Sequence, residues 1–200
     1  SPFLDRVFFN IEKISTLFDN YVIILYYDNS TDNTLEKLKK YQIRNPRLKF
    51  HININPVSQF RTHRIAHARN YCIEQIKTSY ADYPYFIMMD FDDPNCKNCN
   101  IFSLQKYLKR EDWDGLSFNT SPKYYDIWGL SIYPFCFSYN HFNNNQQFYY
   151  IIQDYVTKKL QNLKKDELLP CISSFNGFSI YKTEKFLNCV YDGRVNLNLI

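Results

Sequence analysis

Two spacings of apolar residues alternate along this chain, one helical and one extended. Between residues 1 and 18, Leu4, Val7, Phe8, Ile11, Ile14 and Phe18 fall three or four apart. That spacing predicts a helix, with Ser1 as its cap and Pro2 in its first turn. Residues 21–27 form a short continuous apolar run rich in β-formers, which predicts a buried parallel strand. The run stops at Asp28-Asn29-Ser30-Thr31-Asp32, a cluster of turn and cap residues that opens a helix holding Leu35 and Leu38. A strand is predicted over 48–54. A helix follows over 62–77, with Ile65, Arg69, Cys72, Ile73 and Ile76 along one side. The run at 83–89 predicts another buried strand and ends abruptly in Asp90-Phe91-Asp92-Asp93-Pro94. Beyond it the pattern predicts a helix over 102–110 and a strand over 115–119.

The second half is less regular. Residues 138–147 are rich in Asn and Gln and predict a loop, and 148–165 predict an amphipathic helix with a basic end. Residues 172–182 predict a strand pair, or one strand bent at Gly177, followed by a short helix from Thr183. Alternating helices and strands are the mark of an α/β domain. With no internal repeat and no linker, 1–200 is expected to form a single domain.

Composition narrows the function classes. At 200 residues, 45% hydrophobic and 18% aromatic, the chain can bury a core and is not disordered. A net charge of +4, with Lys and Arg scattered, favours anionic small ligands over nucleic acid. No stretch is long and apolar enough to span a bilayer. Four glycines supply neither a P-loop nor a G-x-G-x-x-G turn, and they argue equally against a sugar-nucleotide pyrophosphorylase. Cys96 and Cys99 form one C-x-x-C without a second pair, so a local disulfide or plain thiols are expected there rather than zinc. His63 and His67 stand one helical turn apart without a third soft ligand. The sequons at Asn29 and Asn119 carry little weight in so Asn-rich a chain.

Three places carry chemistry. Alternation puts Asp90 and Asp92 on one side of an extended backbone at the end of a buried strand. Ligands of open α/β sheets bind at that edge, and two carboxylates there can hold a hard divalent cation that neutralises a diphosphate. Asp28 closes the earlier strand and can accept from a nucleoside base or ribose, or else act as a helix cap, as Ser30, Thr31 or Asp32 equally could. Arg61 and Arg64 stand near the start of a helix, where cations and free N–H groups favour phosphate or base contacts. Arg69, on that helix's apolar side, is expected to pair with a strand-end carboxylate.

The tract 26–34, Tyr-Tyr-Asp-Asn-Ser-Thr-Asp-Asn-Thr, resembles the D-x-S-x-D-x-T signature of GT-A glycosyltransferases, above all the large inverting family 2. Residues 64–70, Arg-Ile-Ala-His-Ala-Arg-Asn, resemble that family's Ala-Arg-Asn helix, and residues 86–93 resemble its strand ending in D-x-D. The three blocks keep family order and spacing. Residues 113–130 and 174–182 resemble glycosyltransferases of large DNA viruses and fungal capsule-associated mannosyltransferases. The resemblance implies a Rossmann-like three-layer sandwich with a mainly parallel central sheet. It also implies metal-dependent transfer of a sugar from a UDP- or GDP-sugar to a glycan or protein-linked acceptor, in the cytoplasm or at a viral factory or virion.

By position, the resemblance implies that Asp28 contacts the nucleoside, Arg64 the base or diphosphate, and Asp90 and Asp92 a Mn²⁺ or Mg²⁺ ion with the donor, while Arg61 is expected to join from the start of the same helix. Asp126 and Trp128 would lie at the acceptor side, with Gly177 leaving room for a sugar. An inverting enzyme needs a carboxylate base, for which Asp126 is the candidate, its other role being an acid bonded to backbone. Against the family pattern, the chain opens in a helix where relatives have a strand, and it ends before the segment where relatives often place a metal-ligating His. Terminal segments are therefore expected to be missing. The rival reading is a non-catalytic carbohydrate- or nucleotide-binding domain that kept the fold.

Overall fold

The computed structural model describes residues 3–120, 124–133, 135–136 and 146–193. In chain order the elements are α1 (Leu4–Ser15), β1 (Ile23–Asp28), α2 (Thr34–Arg44), β2 (Leu48–Asn53), α3 (Arg61–Ser79), β3 (Tyr85–Met89), α4 (Asp93–Cys96) and α5 (Ile101–Leu108). There follow β4 (Gly115–Ser117), a 3₁₀ turn (Ile127–Gly129), β5 (Leu130–Ile132), β6 (Phe135–Cys136), α6 (Gln146–Gln161), β7 (Ser173–Ser174), β8 (Phe178–Lys182) and α7 (Thr183–Phe186). The protein is α/β, as its two apolar periods predict.

The chain divides into two compact units. The first takes in residues up to Phe86, then Asp90–Asp114, then the chain from Tyr181 to its described end. The second comprises Ile87–Met89 and Gly115–Ile180.

In the first unit β1 and β2 pair in parallel, with Ile23 opposite Leu48 and Asp28 opposite Asn53. β1 forms because a β-branched and aromatic run, Ile23-Ile24-Leu25-Tyr26-Tyr27, suits a pleated backbone. Its odd positions Ile23, Leu25 and Tyr27 are buried in a cluster with Leu4 and Phe8 of α1, Leu38 and Tyr41 of α2, and Leu48. Phe8 stacks on Tyr41, and Phe91 meets Phe8 edge-on at 5.6 Å. That last contact bears on the site, because it anchors to the core the residue between Asp90, which follows β3, and Asp92, which precedes α4. The even positions of β1 take α3, with Tyr26 against His67 and Tyr71.

In the second unit the sheet order is β3-β8-β4 through Ile87–Met89, Phe178–Ile180 and Gly115–Ser117, and a further sheet runs β6-β5-β7. β5 is antiparallel to both neighbours. Tyr124, Ile127, Leu130 and Ile132 pack there against Ile152 and Val156 of α6.

Among the described residues the strands form three small sheets, and the expected mainly parallel central sheet is not shown among them. The parallel pairing described is that of β1 with β2. Gly177 bends the chain as expected, at a φ of 78°, which an L side chain tolerates poorly. Helix α1 begins at Leu4 with Phe3 before it, and the expected cap Ser1 and Pro2 lie outside the described residues, as does 138–145 of the expected loop. Gln146 and Gln147 open α6 instead of closing that loop. Cys99 is a free thiol.

Leu48 is fully buried at the head of β2, whereas Ile43 is 83% exposed. Leu48→Ala is expected to lower unfolding free energy by about 2–5 kcal/mol and Ile43→Ala by no more than about 0.5 kcal/mol, as read by urea denaturation.

Candidate functional site

The acids that the sequence singles out at strand ends lie in the first unit, and Asp28 and Asp90 are each met by a cation from α3. Asp28 is the last residue of β1. Its Oδ1 accepts a hydrogen bond of 3.0 Å from Nδ2 of Asn53, its register partner on β2. Its Oδ2 lies 3.6 Å from Nε of Arg64, in the first turn of α3. Asp28 is therefore a member of a three-residue polar group. The cap duty falls to Asp32, whose carboxylate accepts from the Thr34 N–H and the Ser30 hydroxyl.

Asp90 follows the last residue of β3. Arg69 Nη2 donates to its Oδ1 at 3.0 Å and to its Oδ2 at 3.4 Å. The pairing expected of Arg69 is thus with Asp90. The guanidinium is mostly buried, and the pair is a charge-assisted hydrogen bond rather than a solvated surface contact. The Arg69 guanidinium carbon also lies 5.4 Å from the ring centre of Tyr191. Burial pushes the Tyr191 hydroxyl far above its ordinary pKa.

The turn after β3 is held from below. Asn95 Nδ2 donates to the backbone carbonyl of Asp90 at 2.6 Å. Asn10, buried in α1, donates in turn to the carbonyls of Asn95 at 2.7 Å and Lys97 at 2.6 Å. Asp92, in extended backbone, is the residue before α4, and its side chain makes no cap bond to that helix. Pro94 sits in the first turn of α4, where its missing N–H costs nothing.

Arg61, the first residue of α3, is exposed. His63 and His67 do not converge: the His63 Nδ1 is 3.0 Å from the Ser58 hydroxyl, and His67 meets the Tyr26 ring. Among the described residues no group of three His, Cys, Asp or Glu side chains gathers as a metal cage.

Asp126 belongs to the second unit. Its Oδ1 accepts from the Gly129 N–H at 3.1 Å, closing the 3₁₀ turn. Its own N–H, with that of Tyr125, donates to Asn176 Oδ1 at 2.8 Å and 2.9 Å. Asn176 Nδ2 donates to the Phe118 carbonyl. Gly129 is required there, since a Cβ would come within 2.6 Å of the Phe175 carbonyl oxygen and 3.1 Å of Asp126 Oδ2. The acid bonded to backbone, foreseen as the other role of Asp126, is what its contacts describe. The Trp128 side chain lies outside the described residues.

Sequence reasoning missed Asn10, Asn53, Asn95 and the Asn70–Tyr191 contact described below. Asn53 alone left a signal, as the polar end of the strand paired with β1. The others act over 85 residues or more, or on backbone atoms that no motif displays. Asn10→Asp keeps the volume, removes both N–H donors and sets a charge against two carbonyls. It is expected to destabilise the fold by about 3 kcal/mol or more, measured by chemical denaturation.

Comparison with known proteins agrees with these blocks. The profile described as "Glycosyl transferase family 2" matches residues 2–185. The processive diacylglycerol beta-glycosyltransferase of Mycoplasma pneumoniae is 30% identical over 108 residues, which cover 52% of this chain and 28% of that protein. The matched region thus spans little more than a quarter of its relative's length. No solved structure matches the chain significantly. The family match runs through the Asp28 strand end, the Arg64–Asn70 helix and the Asp90-Phe91-Asp92 turn, and the chain belongs to glycosyl transferase family 2.

Proposed function

We propose that this glycosyltransferase uses a nucleoside diphosphate sugar bound at the strand-end acids of the first unit and passes its sugar, with inversion, to an acceptor hydroxyl. The observation that carries the reading is the pairing of each strand-end acid with a cation of one helix: Asp28 with Arg64, and Asp90 with Arg69. Such a set offers acceptors for ribose or base hydroxyls and donors for phosphate oxygens.

A hard divalent cation fits these residues. The candidate ligands are carboxylate oxygens at a strand end, and two carboxylates suit Mn²⁺ or Mg²⁺ bound jointly with phosphate and water. Asp92 would be the main protein ligand, with Asp90 held beside it by Arg69. When bound, the cation would neutralise charge on the departing diphosphate. Asp28 and Asn53 would orient the nucleoside, and Arg64 would meet the diphosphate. In the transfer itself a carboxylate base takes the proton of the acceptor hydroxyl as its oxygen bonds to the anomeric carbon. The bond from that carbon to the diphosphate breaks, and nucleoside diphosphate leaves. The relative's name adds diacylglycerol to glycans as an acceptor to be tried.

Thermal unfolding with Mn²⁺ and UDP-, GDP-, CMP- and dTDP-sugars tests the donor site. A ligand at about ten times its dissociation constant adds about 1.4 kcal/mol, or roughly 3–6 °C. The expected result is a metal-dependent rise with UDP- or GDP-sugars that is lost in Asp92→Asn and in Asp28→Asn. A well-folded protein that shifts with no donor would mean a binding domain without transfer activity.

Asp126 is separable from the donor site. Asp126→Asn keeps an Oδ1 for the Gly129 N–H but cannot take a proton. If Asp126 is the base, this variant keeps its melting temperature and donor affinity and loses about 10²–10⁴-fold in kcat. Unchanged turnover would leave Asp126 as the cap of its turn and nothing more.

A further inference from the structure

The segment after α7 crosses α3 beside the donor acids, and the way it is fastened is unlike an incidental loop contact. Asn70, the neighbour of Arg69 on α3, exchanges two hydrogen bonds with one residue 121 positions away. Its Nδ2 donates to the Tyr191 carbonyl at 2.9 Å, and its Oδ1 accepts from the Tyr191 N–H at 2.8 Å. A primary amide presents an N–H donor and a carbonyl acceptor side by side in one plane, so here it pairs with main chain as a neighbouring strand would. It fixes the backbone of residue 191 and leaves the ring free to face the guanidinium of Arg69.

Two residues on, the fit is closer still. A Cβ on Gly193 would lie 2.2 Å from the Thr62 carbonyl oxygen and 2.8 Å from the Ala66 Cβ. Backbone therefore rests on backbone, along the turn of α3 that also holds Arg64. Upstream, the segment is tied by the Cys189 N–H to the Phe186 carbonyl, and Phe186 packs on Tyr181, which stacks on Phe86 of β3.

We infer that Tyr191-Asp192-Gly193 is a strap that orients the Arg69 guanidinium, and through it the Asp90 carboxylate, for donor binding. Tyr191 and Asn70 are positioning residues in this scheme. An arginine on a flexible stem can meet a carboxylate in many orientations, whereas one laid against an aromatic ring keeps its plane and presents a chosen edge. Here that edge carries Nη2 to both oxygens of Asp90. The inference rests on Asp90 being a donor-site carboxylate, as proposed above.

The test uses Tyr191→Phe, which keeps the ring, Tyr191→Ala, which removes it, and Gly193→Ala, which lifts the strap without deleting a polar group. Each is made alone and with Asp90→Asn. Affinity for UDP and GDP in Mn²⁺ is measured by calorimetric titration, and stability by urea unfolding. The expected result is at least tenfold weaker nucleotide binding for Tyr191→Ala and Gly193→Ala, Tyr191→Phe within twofold of wild type, and no further loss when Asp90 is already Asn. Equal loss in both backgrounds, or none in either, overturns the strap. Should the wild-type protein bind neither nucleotide, the donor-site reading fails, and the unfolding data still decide the strap. Tyr191→Ala and Asp90→Asn are then expected to be non-additive in unfolding midpoint, and additivity overturns the coupling.

Discussion

Two carboxylates at the end of a buried strand repel each other and lose hydration, and the first unit is organised around relieving that at Asp90. Relief comes from Arg69, whose own charge is mostly buried and so needs its partner in turn. The remaining contacts follow from this pair. Phe91 packs against Phe8, which anchors the turn between Asp90 and Asp92 to the core. Asn95 holds the Asp90 carbonyl and Asn10 holds the carbonyls of Asn95 and Lys97, so the turn cannot relax by rotating away. Tyr191 bounds Arg69 on its remaining flank. Remove the cation, and these supports would hold an acid in a place unfavourable to its charge.

Helix α3 is the element that makes this possible, and its composition shows why. Its buried positions are Ala66, Ile73 and Ile76, a thin apolar stripe for nineteen residues. The C-terminal half anchors the helix through Ile73 and Ile76. The N-terminal half carries Arg64 to Asp28, Arg69 to Asp90 and Asn70 to the strap. Ala66 is small where the strap comes closest, and a larger residue there would meet Gly193. The helix thus exchanges apolar burial for polar contacts aimed at strand ends, which is the compromise expected where a helix serves a site.

Most of this architecture is legible in the sequence, because the long elements declare themselves by period. β1, β2, α3 and β3 begin and end within a few residues of where alternation and turn chemistry put them. The Arg69 pairing is legible too, since a cation on the apolar side of a helix needs a carboxylate. The short elements are not. β5, β6 and β7 have two or three residues each, too few to show a period, and exist because of partners far along the chain. The same limit hides the small antiparallel sheet and the separation into two units. Asp126 illustrates a different kind of opacity: the sequence offers an acid, but base and turn cap are equally compatible with it. Its bond to Gly129 emerges only from the fold.

One device recurs in both units. Asn10, Asn70, Asn95 and Asn176 each hold a turn or loop by its main-chain N–H or C=O groups rather than by a side chain. In a chain with four glycines, few tight turns can depend on glycine's conformational freedom, as the bend at Gly177 does, and amide side chains supply the rigidity elsewhere. Because an amide grips backbone, the gripped residues keep side-chain contacts of their own: Asp90 and Tyr191 with Arg69, and Asp126 with the Gly129 N–H. In each case the pinned residue is an acid of the candidate site or the aromatic that steadies one. The abundance of asparagine, which at first suggests only compositional bias, therefore has a structural use at four positions. It fixes where these side chains start from.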